Sequence, residues 1–531
     1  MRRAHTTSQV RLAEASLRAT LPDGALMQRA VAGLAVACAG RLGRIYGSTV
    51  IVLAGSGDNG ADALWAGARL AARGAGVTAV LTGTPRPDAL AALLSAGGRV
   101  GAASSLQVPS LRARPGALVL DGLVGIGGRG PLRADSAELV GQLQDLDVVA
   151  VDLPSGVDAD TGAVEGAAVR AALTVTFGTL KPGLVVGAGR GCAGRVHLVD
   201  IGLAEWLEPA PVELLEAADV GRLLPGSDGR SDKYTRGVVG VAAGSQQYTG
   251  AAVLSVGAAV VAGAGMVRFA GAPHAAEQVR ARWPEAVVTE HRGSQVGDAG
   301  RVQAWVVGPG LGTDDEAAAT VEAVLAQDVP VLVDADALTL CAAHPEWLLG
   351  RTEPTLLTPH DREFARFPGA ELTGDRVGSA RRLAQQLGVT VLLKGDATVV
   401  VGPEGPARVN PTGSAALATA GSGDVLSGAC GALLARGASA LDAGSAGAYL
   451  HGVAGVLSAD GATTSASGVL TSWHEAVRTT ARLGQQQAES AGQWPVGQRR
   501  RAQGRPAQGR PAQGRPAQGR RAQGRRAEGR T

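Results

Sequence analysis

Lysine is almost missing from this 531-residue chain: only Lys181, Lys233 and Lys394 are present among 50 basic residues. All three fall in motif-bearing stretches, while arginine serves everywhere else. A compact ammonium does point-charge work that a guanidinium fork does not. Aromatic residues are equally scarce at 3%. Cores must therefore be built from Ala, Val and Leu, with 78 glycines allowing elements to approach closely. The four cysteines, Cys38, Cys192, Cys341 and Cys430, have no short spacing. That excludes a zinc site and a disulfide framework and points to a reducing compartment. No apolar run reads as long enough to span a membrane, and the N-terminal stretch has no signal-peptide core. A soluble, cytoplasmic protein without a membrane partner is expected.

Net acidity is hidden by the overall formal charge of +3. From Arg499 to Thr531, however, eleven Arg and one Glu carry +10, so the remainder carries 3 − 10 = −7. The basic tail repeats Ala-Gln-Gly-Arg-Pro every five residues, later with Arg in place of Pro. It has no large apolar side chain with which to bury a core, so residues 486–531 are expected to be a disordered tail. A solvated tail is expected rather than a nucleic-acid partner. Homo-oligomerisation is left open by the sequence.

What is present is alternation. An Ala-rich helical segment, 11–42, is broken at Pro22-Asp23-Gly24. Short apolar runs then read as strands at 50–54, 77–81, 117–120, 148–151, 173–177 and 196–199. Helical patterning falls at 62–73, 89–96 and 134–145. Such alternation predicts a mostly parallel sheet covered by helices on both faces, with ligands beyond the carboxyl ends of its strands. The pattern loosens over 206–222, around Glu208-Pro209-Ala210-Pro211, which reads as a linker. It resumes with strands at 238–241, 267–269, 305–307, 331–333, 355–357, 391–393 and 399–401. Helices are predicted at 251–264, 316–326, 376–387, 424–435 and 441–459. The fold class is α/β: two three-layer αβα domains, 1–205 and 223–485.

The strand ends of the first domain are polar. Gly55-Ser56-Gly57-Asp58-Asn59-Gly60 matches the dinucleotide fingerprint G-x-G-x-x-G. Against the usual cradle, Asp58 puts a negative charge where a pyrophosphate would lie, and the next strand ends without an acidic residue for a ribose. Later strand ends carry Asp121-Gly122, Asp152-Leu153-Pro154-Ser155-Gly156 and Lys181-Pro182-Gly183. Oxygen donors from Asn59, Asp121, Ser155 and backbone carbonyls converge on one edge, a hard donor set that suits an alkali or alkaline-earth cation. Together these stretches resemble the epimerase domain of the NAD(P)H-hydrate repair enzymes. The loop Gly57 to Ala63 departs from that family's Gly-Asn-Asn-Gly-Gly-Asp-Gly at Asp58, Ala61 and Ala63. The resemblance implies a Rossmann-like domain and a potassium ion held by Asn59, Asp121 and Ser155. It implies hydrated nicotinamide dinucleotide over Asp58, Asn59, Gly60, Ala61 and Asp62, and over Gly125, Ile126, Gly127, Gly128, Arg129, Gly130 and Pro131. Asp152 and Lys181 are the expected carriers of proton traffic.

The second domain is organised around Ala420-Gly421-Ser422-Gly423-Asp424. Two glycines and a serine at a helix start leave backbone N–H groups bare, where the helix dipole is positive. Asp424 in the first turn is placed to take a proton from a hydroxyl. Loop, helix start and carboxylate together predict phosphoryl transfer to an alcohol, with the Ser422 and Gly423 N–H groups as the anion hole. Tyr248-Thr249-Gly250-Ala251, Gly308 to Gly312, Thr358-Pro359-His360 with Glu363, and Leu393-Lys394-Gly395 precede it in order. The series resembles the ribokinase-like superfamily, and within it the ADP- or ATP-dependent NAD(P)H-hydrate dehydratases. That resemblance implies an adenine nucleotide, with magnesium, held by Lys394, Gly395, Asp396, Ala397, Thr398 and Gly423. It implies a hydrate pocket lined by Ala251, Gly310 and His360, with Asp424 as the base. The expected function is bifunctional repair: epimerising the R and S forms of hydrated NAD(P)H and dehydrating the S form. Two other expectations compete. One is a ribokinase-like kinase of a vitamin-precursor alcohol; the other makes the first domain a non-catalytic dinucleotide sensor.

Overall fold

The computed structural model describes residues 1–103, 116–224, 233–291 and 293–492. The first sheet has seven strands, all parallel. In spatial order they are Arg99–Gly101, Gly76–Leu81, Thr49–Ala54, Ala117–Gly122, Val148–Val151, Leu173–Phe177 and Arg195–Val199. The central ones read as unbroken apolar runs because helices cover both faces. Chain order reverses between Thr49–Ala54 and Ala117–Gly122, so the crevice of this sheet opens between the loops that follow those two strands. Gly55 lies in that crevice, where a β-carbon would meet the Leu123 carbonyl. Only a glycine lets the two loops approach so closely.

The second sheet is mixed and has eleven strands. Seven run parallel: Val287–Glu290, Met266–Gly271, Val238–Ala242, Ala304–Val307, Val331–Val333, Thr355–Leu357 and Thr390–Leu393. Its order reverses between Val238–Ala242 and Ala304–Val307, where the Gly244 N–H donates to the Pro309 carbonyl across the gap at 2.8 Å. The helix Ser422–Ala435 fits tightly beside the helix Thr249–Val261, because Gly428 brings its backbone against the Ser255 carbonyl.

Two parts of the sequence reading are corrected. The segment 206–222 carries the strand Val212–Leu214 and the helix Ala217–Leu223, in place of a linker. That strand lies between Ala407–Val409 and Arg2–Ala4, so the first residues of the chain belong to the second sheet. Three-residue edge strands carry too short a pattern to be read locally; their partners are hundreds of residues away. Second, the helix Ala25–Leu42 spans 18 residues with a mean hydropathy of 1.2, long and apolar enough by length and composition to cross a membrane. Here its face Leu26, Val31, Leu34 and Cys38 packs with Val149, Val151 and Val175 of the first sheet. Of the predicted tail, 486–492 completes the helix Trp473–Gly492; the basic repeat lies outside the described residues.

The apolar core on one face of the second sheet continues through Leu153, Val157, Leu184 and Val186 of the first domain. The two domains are therefore joined by a shared dry interface. All four cysteines are unpaired and buried within the two domains.

Candidate functional sites

The crevice of the first sheet is a cleft of about 730 Å³. Asp58, Asn59 and Asp62 line it, as does every residue from Gly125 to Pro131, together with Asp152. Gly60 and Ala61 do not: both are buried, and Ala61 points into the core beneath the sheet. Gly60 sits there because a β-carbon would strike the Gly55 carbonyl. The departure at Ala61 thus leaves the cleft surface unchanged. The Asp58 carboxylate is well exposed and meets Arg86 Nη1 at 3.3 Å.

Asp152 stands just after the strand Val148–Val151 in a left-handed conformation, φ 63°. Its Oδ1 accepts from Lys181 Nζ at 2.5 Å and from Thr176 Oγ1 at 2.9 Å. Lys181 also donates to Thr176 Oγ1 (3.0 Å) and the Phe177 carbonyl (3.2 Å), and its side chain is 1% exposed. The ammonium is used up behind Asp152 and does not reach the cleft. Asp62, on the opposite wall, has an Oδ1 shut off from solvent with no hydrogen-bond partner. Burial first, then the charges of Asp152, Asp58 and Glu14, push its carboxyl well above the usual carboxylate range. The cleft therefore holds two acids in different surroundings: Asp152 paired with Lys181, and Asp62 without a hydrogen-bond partner. Sequence reasoning missed Arg11, Glu14 and Arg18, which the helix Thr7–Arg18 lends to the cleft wall. The amphipathic spacing of that helix was the available signal.

Asp121 is fully buried below the cleft. It accepts from Ser155 N (2.8 Å), Ser155 Oγ (2.7 Å) and Leu123 N (3.3 Å). Burial nonetheless pushes its carboxyl up to about 6, against those three hydrogen bonds. Ser155 Oγ also lies 3.2 Å from the Val124 carbonyl, and the Asn59 amide nitrogen is buried without a partner.

In the second domain the strand ends bring the predicted residues to one face. Gly421, at φ 85°, turns the chain into the helix Ser422–Ala435. The Ser422 N–H, expected to stay open, instead donates to the Thr419 carbonyl at 3.3 Å. Among the described residues the open pair is Gly423 and Asp424, whose N–H groups meet no acceptor. A β-carbon on Gly423 would stand 3.5 Å from Lys394 Nζ, so loop and lysine do converge. Lys394 is paired with Asp334 Oδ1 at 2.8 Å and faces Glu363 Oε2 at 3.6 Å. Ser427 Oγ donates to Asp334 Oδ2 at 2.7 Å, from one turn further along the same helix. Sequence reasoning gave Asp334 and Ser427 no role, although Asp334 stands in the polar end Asp334-Ala335-Asp336 directly after the strand Val331–Val333.

Asp424 is half-buried. Burial, and next the charge of Asp334, push its carboxyl up to about 7, against the pull of Lys394. Ala251 and Gly310 touch: a β-carbon on Gly310 would lie 2.9 Å from the Ala251 methyl, and Gly310 itself is at φ 62°. His360 caps the short helix Asp361–Phe364, its Nδ1 accepting from Arg362 N and Glu363 N. Its ring remains half-exposed. In the loop Lys394 to Thr398, Thr398 Oγ1 donates to the Gly395 carbonyl, while the Ala397 methyl joins the core.

Two family models match the chain. One, described as NAD(P)H-hydrate dehydratase, covers residues 239–473. The other, described as YjeF-related protein N-terminus, covers 23–183. The chain is 51% identical to the bifunctional NAD(P)H-hydrate repair enzyme Nnr of Mycobacterium tuberculosis, over 82% of this chain and 89% of that one. It is 50% identical to the enzyme of that name from Mycobacterium leprae, over the same shares. Among solved structures, it is similar to an ADP/ATP-dependent NAD(P)H-hydrate dehydratase from Bacillus subtilis co-crystallised with ATP/Mg2+. That likeness has 29% identity and a TM-score of 0.44, covering 50% of this chain and 97% of that one. The relatives and both family models support the repair reading and not the vitamin-precursor kinase. This chain belongs to the family of bifunctional NAD(P)H-hydrate repair enzymes.

Proposed function

We propose that the first-domain cleft interconverts the epimers of hydrated NAD(P)H, and that the second-domain site dehydrates the S form at the expense of ADP or ATP. The observation that carries the second assignment is Asp424, raised to about 7, beside two open N–H groups and within the field of Lys394. A base whose pKa lies near the working pH is the one suited to take a hydroxyl proton. The substrate oxygen attacks the terminal phosphorus of the nucleotide and Asp424 takes its proton. The bond from phosphorus to the bridging oxygen breaks. The Gly423 and Asp424 N–H groups hold the anionic charge. The ring nitrogen's lone pair then expels the phosphorylated oxygen, and loss of a ring proton restores the reduced nicotinamide. Lys394 is the point charge of the nucleotide loop and is kept protonated by Asp334 and Glu363. Among the described residues no three His, Cys, Asp or Glu side chains are placed to hold a metal ion. Magnesium would arrive with the nucleotide and supply positive charge to its phosphates.

In the first domain the same hydroxyl leaves without phosphorylation. Asp62, whose carboxyl burial pushes up, gives a proton to the departing oxygen, water adds to the other face of the ring, and the proton returns. Asp152, held in place by Lys181, steadies the cationic ring formed between the two steps.

Asp121, Ser155 and the Val124 carbonyl fit a potassium ion as a hard donor set with one full negative charge, and Asn59 fits if its amide oxygen turns inward. A buried carboxylate without a cation is costly, so potassium would relieve it. Replacing Na+ by K+ at pH 7.5 is expected to raise the melting temperature by a few degrees. At pH 5 the gain should shrink, because protons then compete for Asp121. Asp121→Asn should show no K+ effect; an undiminished effect in that variant would remove Asp121 from the site.

The functional test is direct. The protein is incubated with chemically hydrated NADH and ADP or ATP with magnesium. Return of reduced-nicotinamide absorbance supports the dehydratase, and consumption of both epimers supports the epimerase. Consumption of the S form alone, at the rate of spontaneous epimerisation thereafter, would make the first domain a non-catalytic module.

A further inference from the structure

We propose that Arg190, a residue of the first domain, is a positioning residue for the nucleotide of the second. The inference rests on reading Lys394 to Thr398 as the nucleotide loop. Arg190 lies on the short helix Gly187–Ala193, which follows the Lys181-Pro182-Gly183 stretch. Its guanidinium leaves its own domain. Nη1 donates to the Asp396 carbonyl at 2.6 Å, and Nη2 to the carbonyls of Pro411 and Gly413, each at 3.2 Å. Its Nε stands 3.9 Å from Asp396 Oδ2. Among the described residues no other donor reaches these three carbonyls.

The three carbonyls belong to two loops that form one wall of the second site. The first follows the strand Thr390–Leu393 and carries Lys394. The second follows Ala407–Val409 and leads to the helix start at Gly421. The loops are in backbone contact, because a β-carbon on Gly413 would strike the Asp396 carbonyl. Asn410 N also donates to the Thr398 carbonyl at 2.9 Å. Three carbonyl oxygens turned to one place make a negative patch beside a site that must accept phosphates. A guanidinium answers it with several N–H groups in a rigid fork, which a lysine cannot reproduce. The apolar interface through Val157, Leu184 and Val186 already joins the domains. Arg190 is therefore free to set loop shape in addition to holding the halves together. Epimerase and dehydratase domains are coupled at the point where the nucleotide binds.

The test compares the intact protein with Arg190→Ala, Arg190→Lys and Gly395→Trp. Dissociation constants for Mg-ADP are measured by calorimetry, alongside the KM for hydrate, the epimerase rate and the melting temperature. A β-carbon at 395 would first meet the Arg376 guanidinium, 2.9 Å away, which pairs with Asp361 and donates to the Lys394 carbonyl, so bulk there disturbs the loop, and the melting temperature shows whether the fold survives. Arg190→Ala is expected to weaken Mg-ADP at least tenfold, with hydrate KM and epimerase rate within twofold. Arg190→Lys should not rescue it, and added guanidinium should restore part of the affinity to Arg190→Ala. If Gly395→Trp blocks Mg-ADP but Arg190→Ala binds it within twofold of the parent, the proposal falls and the nucleotide loop stands. If Gly395→Trp leaves Mg-ADP affinity unchanged, the loop assignment itself falls, and the proposal with it. Equal losses in nucleotide affinity, hydrate KM and epimerase rate would make Arg190 ordinary interface glue and overturn the proposal.

Discussion

Asp424→Asn is expected to lose dehydration by about 10²- to 10⁴-fold, the range for removing a positioned acid or base. The same change is expected to make the protein more stable above neutral pH. The folded-state pKa of Asp424 is raised from an ordinary 3.8 to about 7. The native state thus holds this proton more tightly than the unfolded chain does. Stability from the protonated form is complete below about pH 4 and is lost as pH rises towards 7. At pH 8 the ionised group costs the fold up to about 4 kcal/mol by linkage alone. Partial exposure screens it, so about 1–3 kcal/mol is the expected cost. Asparagine carries no charge and avoids that cost. The melting temperature of the variant should exceed the parent's by several degrees at pH 8 and match it near pH 4. Turnover within a few-fold of the parent would remove Asp424 as the base. An unchanged melting temperature at pH 8 would mean that the carboxyl is not strained.

Lys181→Met is the second large effect. Lys181 and Asp152 are both buried, at 1% and 11% side-chain exposure. Removing the ammonium leaves a buried carboxylate without its partner, a change that costs about 3–5 kcal/mol. The epimerase reaction should vanish, while the S form is still dehydrated at the parent rate. Half of an equal mixture of epimers is then consumed quickly and the rest only at the spontaneous rate. The double variant Lys181→Met/Asp152→Leu should recover stability without recovering epimerisation. Asp62→Asn separates chemistry from folding: it should lose epimerisation by about 10²-fold or more with little change in melting temperature. Quick consumption of both epimers by Lys181→Met would remove the ion pair from the mechanism. Normal epimerisation by Asp62→Asn would remove that carboxyl as the acid.

Legibility differed by residue type. The strands Val148–Val151, Leu173–Phe177, Val331–Val333, Thr355–Leu357 and Val399–Val401 match their sequence ranges to the residue. They are short apolar runs bounded by polar turns. The helix Pro273–Arg282 and the strand Val287–Glu290 were missed, because neither carries a continuous apolar stripe. Around the helix start at Ser422, composition pointed to an anion site, but which N–H groups stay open depended on the turn at Thr419. Lys181 was chosen by type and position. Its seat behind Asp152 is fixed by the Thr176 hydroxyl and the Phe177 carbonyl.

Local chemistry alone determined that this chain folds as two alternating α/β domains whose strand ends carry carboxylates, lysines and glycine turns. Periodicity and turn residues act over a few positions, so they can be read from the string. Tertiary structure decided that Arg2–Ala4 completes the far sheet, that Asp62 faces Asp152, and that Arg190 crosses to the other domain's loop. These are meetings between residues tens to hundreds of positions apart. Their energies come from burial and from charges in a shared dry space, which exist only once the chain has folded.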